Sequence, residues 1–135
     1  MNKTDFEALA EFRYQLRRFL RFSETAVQSE GMTPLHYQLL LQIKGFPGRS
    51  WATIGELAER LQASHHGTVA LVSRCESAGL VRREKDPDDR RQVRVHLTES
   101  GDQQITRLAR MHRDELRSLA RVFRVTRLAE FNDRD

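Results

Sequence analysis

Two short stretches hold the side chains best suited to binding something charged. The first is Ser64-His65-His66, followed by Gly67, Val69, Ala70 and, further on, Arg74. Imidazoles at the start of a helix can donate to base acceptors or phosphates, and a helix N-terminus attracts phosphate in its own right. The second is the run Asp86-Pro87-Asp88-Asp89-Arg90-Arg91. Its guanidiniums suit phosphate and guanine contacts, while the three carboxylates beside them allow a purely salt-bridged turn. Neither stretch reads as a reaction centre. The chain has no Gly-rich phosphate loop, no metal-spaced cluster and no nucleophile beside a plausible base, so no enzyme activity is expected. Adjacent helical histidines point about 100° apart, and no nearby Cys, Asp or Glu completes a site. No metal and no cofactor is therefore expected. Cys75 is the only cysteine, which excludes an intramolecular disulfide. It stands where a Leu would fit on an apolar helix face and reads as a buried structural thiol.

These groups need a rigid frame, and capping signals outline it. Thr53-x-x-Glu56 is a capping box that opens a short helix with Ile54, Leu57, Ala58 and Leu61 inward. Thr53 itself is open between capping and phosphate contact. Gln62-Ala63 turns the chain. Ser64 caps the next helix, whose Thr68, Leu71, Val72 and Cys75 fall at i, i+3, i+4 and i+7, leaving His65 and His66 on another side. Gly79 fits the left-handed position that ends it. Leu80–Lys85 and Gln92–Leu97 read as strands joined by the charged turn, with His96 expected to be exposed. Trp51-Ala52 reads as a short strand pairing with this hairpin.

The flanks read as helices. Thr4-x-x-Glu7 predicts a capping box for a helix reaching about Glu30. Its apolar stripe is Phe6, Leu9, Phe12, Leu16, Phe19, Leu20 and Val27. Thr33-Pro34 starts another helix with Leu35, Leu39, Leu40 and Ile43 as its apolar face. Thr98 caps a last long helix, where Ile105, Ala109, His112, Leu116, Leu119 and Phe123 form a heptad-like seam. Arg107, Arg110, Arg113, Arg117, Arg121, Arg124 and Arg127 read as its solvated face. The tail from Thr126, with Leu128 and Phe131, is not placed by these signals.

The order of elements predicts a mainly α fold with a small β-hairpin wing: a winged helix-turn-helix flanked by long N- and C-terminal helices. These are candidate dimerisation helices whose apolar stripes need a partner, either the chain's own core or a second chain. Residues 1–31 form the first dimerisation helix, 33–97 the DNA-binding core, and 98–135 the second dimerisation helix and tail. Where that partner is a second chain, Phe6, Leu9, Phe12, Leu16, Ile105, His112, Leu116, Leu119 and Phe123 are the expected dimer interface. Phe19, Phe22, His36, Tyr37 and Trp51 are candidates for a ligand pocket between the dimer helices and the reading head, with core packing as the alternative. Composition fits. The 135 residues carry a formal charge of +4, and 20 of the 23 basic residues are Arg. That balance suits an anionic partner or simply a well-solvated surface. No apolar run approaches the roughly 20 residues of a membrane span, and no signal peptide is evident, so a cytoplasmic protein is expected.

LAERLQASHHGTVALVSRCESAGLVRRE and DPDDRRQVRVHLTESG together resemble the MarR family of bacterial transcription regulators. The wing carries the most specific part: Asp89-x-Arg91, then Leu97-Thr98-x-x-Gly101. The resemblance implies a homodimer with interleaved terminal helices, two winged helices reading a pseudopalindromic operator in double-stranded DNA, and repression or activation of transcription, with a repressor as the favoured expectation. In many members a small aromatic or anionic ligand modulates binding. The resemblance further implies that Arg91 enters the minor groove while Asp89 orients its guanidinium. Ser64, His65, His66, Val69, Ala70, Arg74, Arg90 and Arg91 then make up the expected DNA-contacting set. Gly67, Val69 and Ala70 depart from the family pattern, in which Ser, Thr or Arg is common. Small apolar residues there suggest close approach and thymine-methyl contact. Arg74 is open between a phosphate contact and pairing with Glu76 or Glu84. The alternative reading is an architectural, nonspecific DNA-binding protein or a protein-interaction module.

Overall fold

The computed structural model describes residues 1–118 and residue 120. Five helices and three strands follow in the order α1 (Lys3–Ser29), α2 (Pro34–Lys44), β1 (Trp51–Thr53), α3 (Ile54–Leu61), α4 (His65–Ser77), β2 (Val81–Lys85), β3 (Val93–Leu97) and α5 (Glu99–Ser118). Leu119, Phe123, Arg121, Arg124, Arg127 and the tail with Leu128 and Phe131 lie outside the described residues.

Local chemistry explains most boundaries. Thr33, Thr53 and Ser64 cap α2, α3 and α4 through their hydroxyls. The Thr53–Glu56 box is complete. At α1 the expected Thr4–Glu7 box is not used. Asn2 and Asp5 make the reciprocal pair instead, each amide donating to the other's side chain at 3.0 Å. Asn is as good an N-cap as Thr or better, and using it lengthens the helix. Gln62, left-handed at φ 53°, ends α3 and makes the tight turn into α4. Gly79, at φ 78°, closes α4. The Leu80 amide donates to the Cys75 carbonyl and the Gly79 amide to the Glu76 carbonyl, both at 2.9 Å, which is a Schellman motif.

The sheet is antiparallel in the order β1-β3-β2. β3 is therefore the central strand. This changes His96, which is half-buried rather than exposed. Trp51 of β1 lies directly opposite it. Its Nε2 is buried without a hydrogen-bond partner, 3.8 Å from a Glu84 carboxylate oxygen.

One core joins all the elements. Leu39, Leu40, Ile43, Leu57, Val72, Cys75, Val95, Ile105 and Leu108 are all fully enclosed in it. Leu35 departs from expectation: at 54% exposure it stands outside the core, and the buried face of α2 begins at Tyr37. Ile105 and His112 also differ from the expected dimer seam. Both are buried within the chain, because α5 lays that stripe on α1 and α2. Gly101 makes the closest approach at this end. A Cβ there would lie 2.0 Å from the Leu80 carbonyl oxygen. Among the described residues no helix is long and apolar enough to cross a membrane.

Candidate nucleic-acid interface

The first turn of α4 is held by Ser64. Its hydroxyl accepts from the Gly67 amide at 3.0 Å, and its carbonyl accepts from the Thr68 hydroxyl at 2.8 Å. Thr68, Leu71, Val72 and Cys75 then point inward, and Ser64, His65, His66 and Gly67 are left exposed. A side chain at Gly67 would crowd the Ser64 hydroxyl at 3.0 Å, so the small residue keeps the cap intact. Val69 and Ala70 are half-buried, and Val69 packs against the core. Val69 is accordingly less available to a ligand than its place on the helix predicts.

Arg74 is exposed on α4. The partners considered for it are engaged elsewhere. Glu76 accepts from the Arg83 amide at 3.1 Å, and Glu84 from Arg82 at 3.1 Å. Arg74 makes no ion pair among the described residues. Its charge reaches His36, whose imidazole pKa is lowered first by partial burial and then by this guanidinium.

The wing turn is built on Asp86. One carboxylate oxygen accepts from the amides of Asp88 at 2.8 Å and Asp89 at 3.1 Å; the other accepts from Arg94 Nε at 3.2 Å. The Asp88 amide above all, with the Asp89 amide and Arg94, holds its carboxyl below the usual range against the opposing effect of burial. Asp89 repeats the arrangement for Arg91. It accepts from the Arg91 amide and Nε at 3.1 Å each and from an Nη at 3.3 Å. That guanidinium, and then the amide, also hold Asp89 below the ordinary carboxylate value. The Arg91 side chain is nonetheless 90% exposed. An ion pair this open contributes little to stability. What it does is aim the guanidinium, by a two-pronged contact, away from the protein. Arg90 is exposed beside it.

The two sequence clusters meet on one concave face. A cavity of about 290 Å³ separates them, lined by Thr53, His65, Val69, Arg83 and Arg91 among others. Arg83, which sequence reasoning passed over, joins the walls. It donates to the Val69 carbonyl at 3.3 Å and to the Ser73 hydroxyl, tying β2 to α4. The available signal was strand alternation: Arg83 shares the inward face of β2 with Val81. Asp86 in the sequence likewise shows only as a neutralising charge, although Asp is a turn-forming residue.

The five ligand-pocket candidates stand in different surroundings within the single chain. Tyr37 stacks on His112 at 4.7 Å and 11°, and Phe19 and Phe22 meet that imidazole edge-on. His112 Nδ1 donates to the Leu108 carbonyl at 2.7 Å, and Nε2 shares a hydrogen bond of 2.8 Å with the Ser23 hydroxyl. This is core packing around a satisfied histidine. His36 is coupled to Arg74. Trp51 is carried by β1 pairing to the sheet, beside His96. Of the expected dimer residues, Phe6, Leu9 and Leu116 are exposed at 58%, 40% and 48%, and Phe12 and Leu16 are half-buried. Cys75 has no exposed surface, and burial pushes its thiol up to about 11. Among the described residues no group of three or more His, Cys, Asp or Glu is placed to hold a metal ion.

The MarR family's sequence profile matches residues 30–92. A Thauera aromatica protein described as a transcriptional regulatory protein for the hcr operon is 33% identical over 96 residues, which is 71% of this chain. The chain spans 56% of that protein's length. The Bacillus subtilis HTH-type transcriptional regulator YsmB is 30% identical over 122 residues, covering 86% of this chain and 83% of YsmB. Among solved structures, AbsC, a MarR family transcriptional regulator from Streptomyces coelicolor, superposes with a TM-score of 0.74 at 26% identity, over 91% of this chain and 80% of AbsC. A mutant MarR from E. coli, complexed with operator DNA, shares the fold with a TM-score of 0.68 at 21% identity, over 81% of this chain and 76% of that one. With the winged fold in place and YsmB matched over most of both chains, this chain belongs to the MarR family of transcription regulators.

Proposed function

We propose that the protein is a homodimeric repressor that reads a pseudopalindromic operator in double-stranded DNA. Residues 33–97 serve as the reading head, and residues 1–31 and 98–135 pair the two chains. One observation carries this reading: the Arg91 guanidinium, 90% exposed yet held by Asp89, stands across a cleft from the open N-terminus of α4. That spacing suits α4 in a major groove and the wing in the adjacent minor groove, where a narrow A·T-rich tract attracts Arg. Arg83 and His65 in the same cleft would meet the phosphates between. Pairing is supported by the apolar side chains that α1 and α5 leave in water, Phe6, Leu9, Met111 and Leu116. Patches of this kind mark interaction surfaces. Acting on the genome, the dimer would work in the cytoplasm. A small aromatic or anionic effector would release it.

The test is selection of bound DNA from a random pool, with Arg91→Ala alongside. Arg91→Ala should weaken binding of the selected operator about tenfold, the 1–3 kcal/mol of a lost groove contact, with an unchanged melting temperature. A large fall in melting temperature would make the wing pair structural instead. One observation favours the nonspecific reading: Gly67, Ala70 and half-buried Val69 give α4 few groups for base edges. Steep salt dependence without a recovered sequence would establish that alternative. Titrating the complex with aromatic carboxylates tests the effector.

A further inference from the structure

Trp51 is the only tryptophan in the chain, and DNA reading leaves it without a role. It sits on the outer face of the sheet, opposite His96. The guanidinium carbons of Arg49 and Arg94 stand 3.9 and 4.0 Å from its ring centre. Both guanidiniums thus lie within cation–π reach of the same indole. Each is anchored at its far end. Arg49 pairs with Glu56, whose other oxygen accepts from the Thr53 amide at 2.9 Å in the α3 capping box. Burial alone would raise the Glu56 carboxyl, but the Thr53 bonds and Arg49 outweigh it and hold it low. Arg94 donates to Asp86, which folds the wing turn. A continuous run of contacts therefore leads from the α3 cap, through the indole, to the loop that carries Asp89 and Arg91.

The geometry points to Trp51 as a positioning residue for the wing: by clamping Arg94 it fixes Asp86, and with it the aim of the Asp89–Arg91 pair relative to α4. The clamp has something to oppose. Glu84 lies directly across the ladder from Arg94, on the same face of the sheet. Without an indole to lie against, Arg94 is free to turn to Glu84, and Asp86 loses its side-chain donor. The Arg94–Asp86 pair is also well shielded, at 22% and 11% exposure, compared with 55% and 44% for Arg82–Glu84. A sheltered pair of this kind is screened less by salt and holds its geometry better.

This inference rests on the proposed DNA reading and adds to it a residue that does not line the cleft between α4 and the wing. Its test is a double-mutant cycle on the full chain with the operator selected from the random pool. Arg91→Ala is combined in turn with Trp51→Leu, Trp51→Phe and Arg94→Gln. Arg91→Ala should cost about tenfold in the parent and about twofold or less once Trp51 is Leu or Arg94 is Gln. Trp51→Phe keeps an aromatic face and should restore most of the difference. Trp51→Leu and Arg94→Gln should each lower the slope of log Kd against log salt by about one, as Arg91→Ala does. They should also remove minor-groove protection in a hydroxyl-radical footprint while leaving the major-groove contacts. A tenfold cost of Arg91→Ala in every background overturns the inference and leaves the DNA reading standing. A parent that binds its operator indifferently to Arg91→Ala overturns the inference too, and with it the wing's proposed part in DNA binding. If Trp51→Leu does not fold, Arg94→Gln decides alone, since it spares the indole. A parent that binds no DNA ends the proposed function itself.

Discussion

Burial decides what Cys75 does. A thiol without exposed surface and pushed up to about 11 carries almost no thiolate at neutral pH, so it is inert. Thiol reagents should label it only on unfolding; fast labelling of the folded protein would contradict this. Cys75→Ser should cost about 1–3 kcal/mol in a urea titration, because it moves a hydroxyl from water into an apolar core. The wing carboxylates act in the opposite direction. Asp86 and Asp89 are depressed in the folded state. Their contribution to wing order is thus complete above the unfolded value of about 3.9 and is lost as pH falls through the lower folded values. Carboxyl carbon shifts and amide exchange at Asp88 and Asp89 should be flat from about pH 5 to 8 and change only in acid. Loss of the turn near neutral pH would count against it. Cys75 was legible because a helical spacing of apolar residues needs only neighbours in sequence. Arg83 and Trp51 were not, because their partners belong to other elements: Val69 and Ser73 for one, Arg94 and His96 for the other.

At the scale of elements, the capping signals held where one residue alone offers the cap. Thr33, Thr53 and Ser64 cap as their chemistry dictates, and Gly79 ends α4 in the left-handed region. The start of α1 was misplaced because Asn2 and Thr4 offer similar caps and only one can be used. The seam of α5 was half legible. Its spacing shows that a helix face is covered, but not by what, and Ile105 and His112 found cover within the chain. Gly101 belongs to this scale too. It seats α5 on the junction of α4 and β2, where the Leu80 carbonyl also accepts from the Thr98 amide at 3.0 Å. Gly101→Ala should destabilise by on the order of 1–3 kcal/mol, since backbone rather than a mobile side chain must yield. A melting temperature equal to that of the parent would show that the junction opens freely.

For the whole molecule, one core joins the winged helix to the terminal helices, so in the proposed dimer the way two chains pair would set where α4 and the wing stand. α1 alone spans about 40 Å at 1.5 Å per residue, comparable to one turn of DNA. Its exposed Phe6 and Leu9, with Met111 and Leu116 of α5, are the surfaces through which pairing would set the distance between two wings. That geometry is best tested by footprinting the protein on the operator recovered from a random pool, with and without Arg91→Ala. The expected result is two symmetric half-sites, centred about one helical turn or a multiple of it apart. Each should show a protected major groove and a flanking minor-groove protection that Arg91→Ala removes. A single asymmetric footprint, or protection with no preferred sequence, would contradict a paired reader of operator DNA.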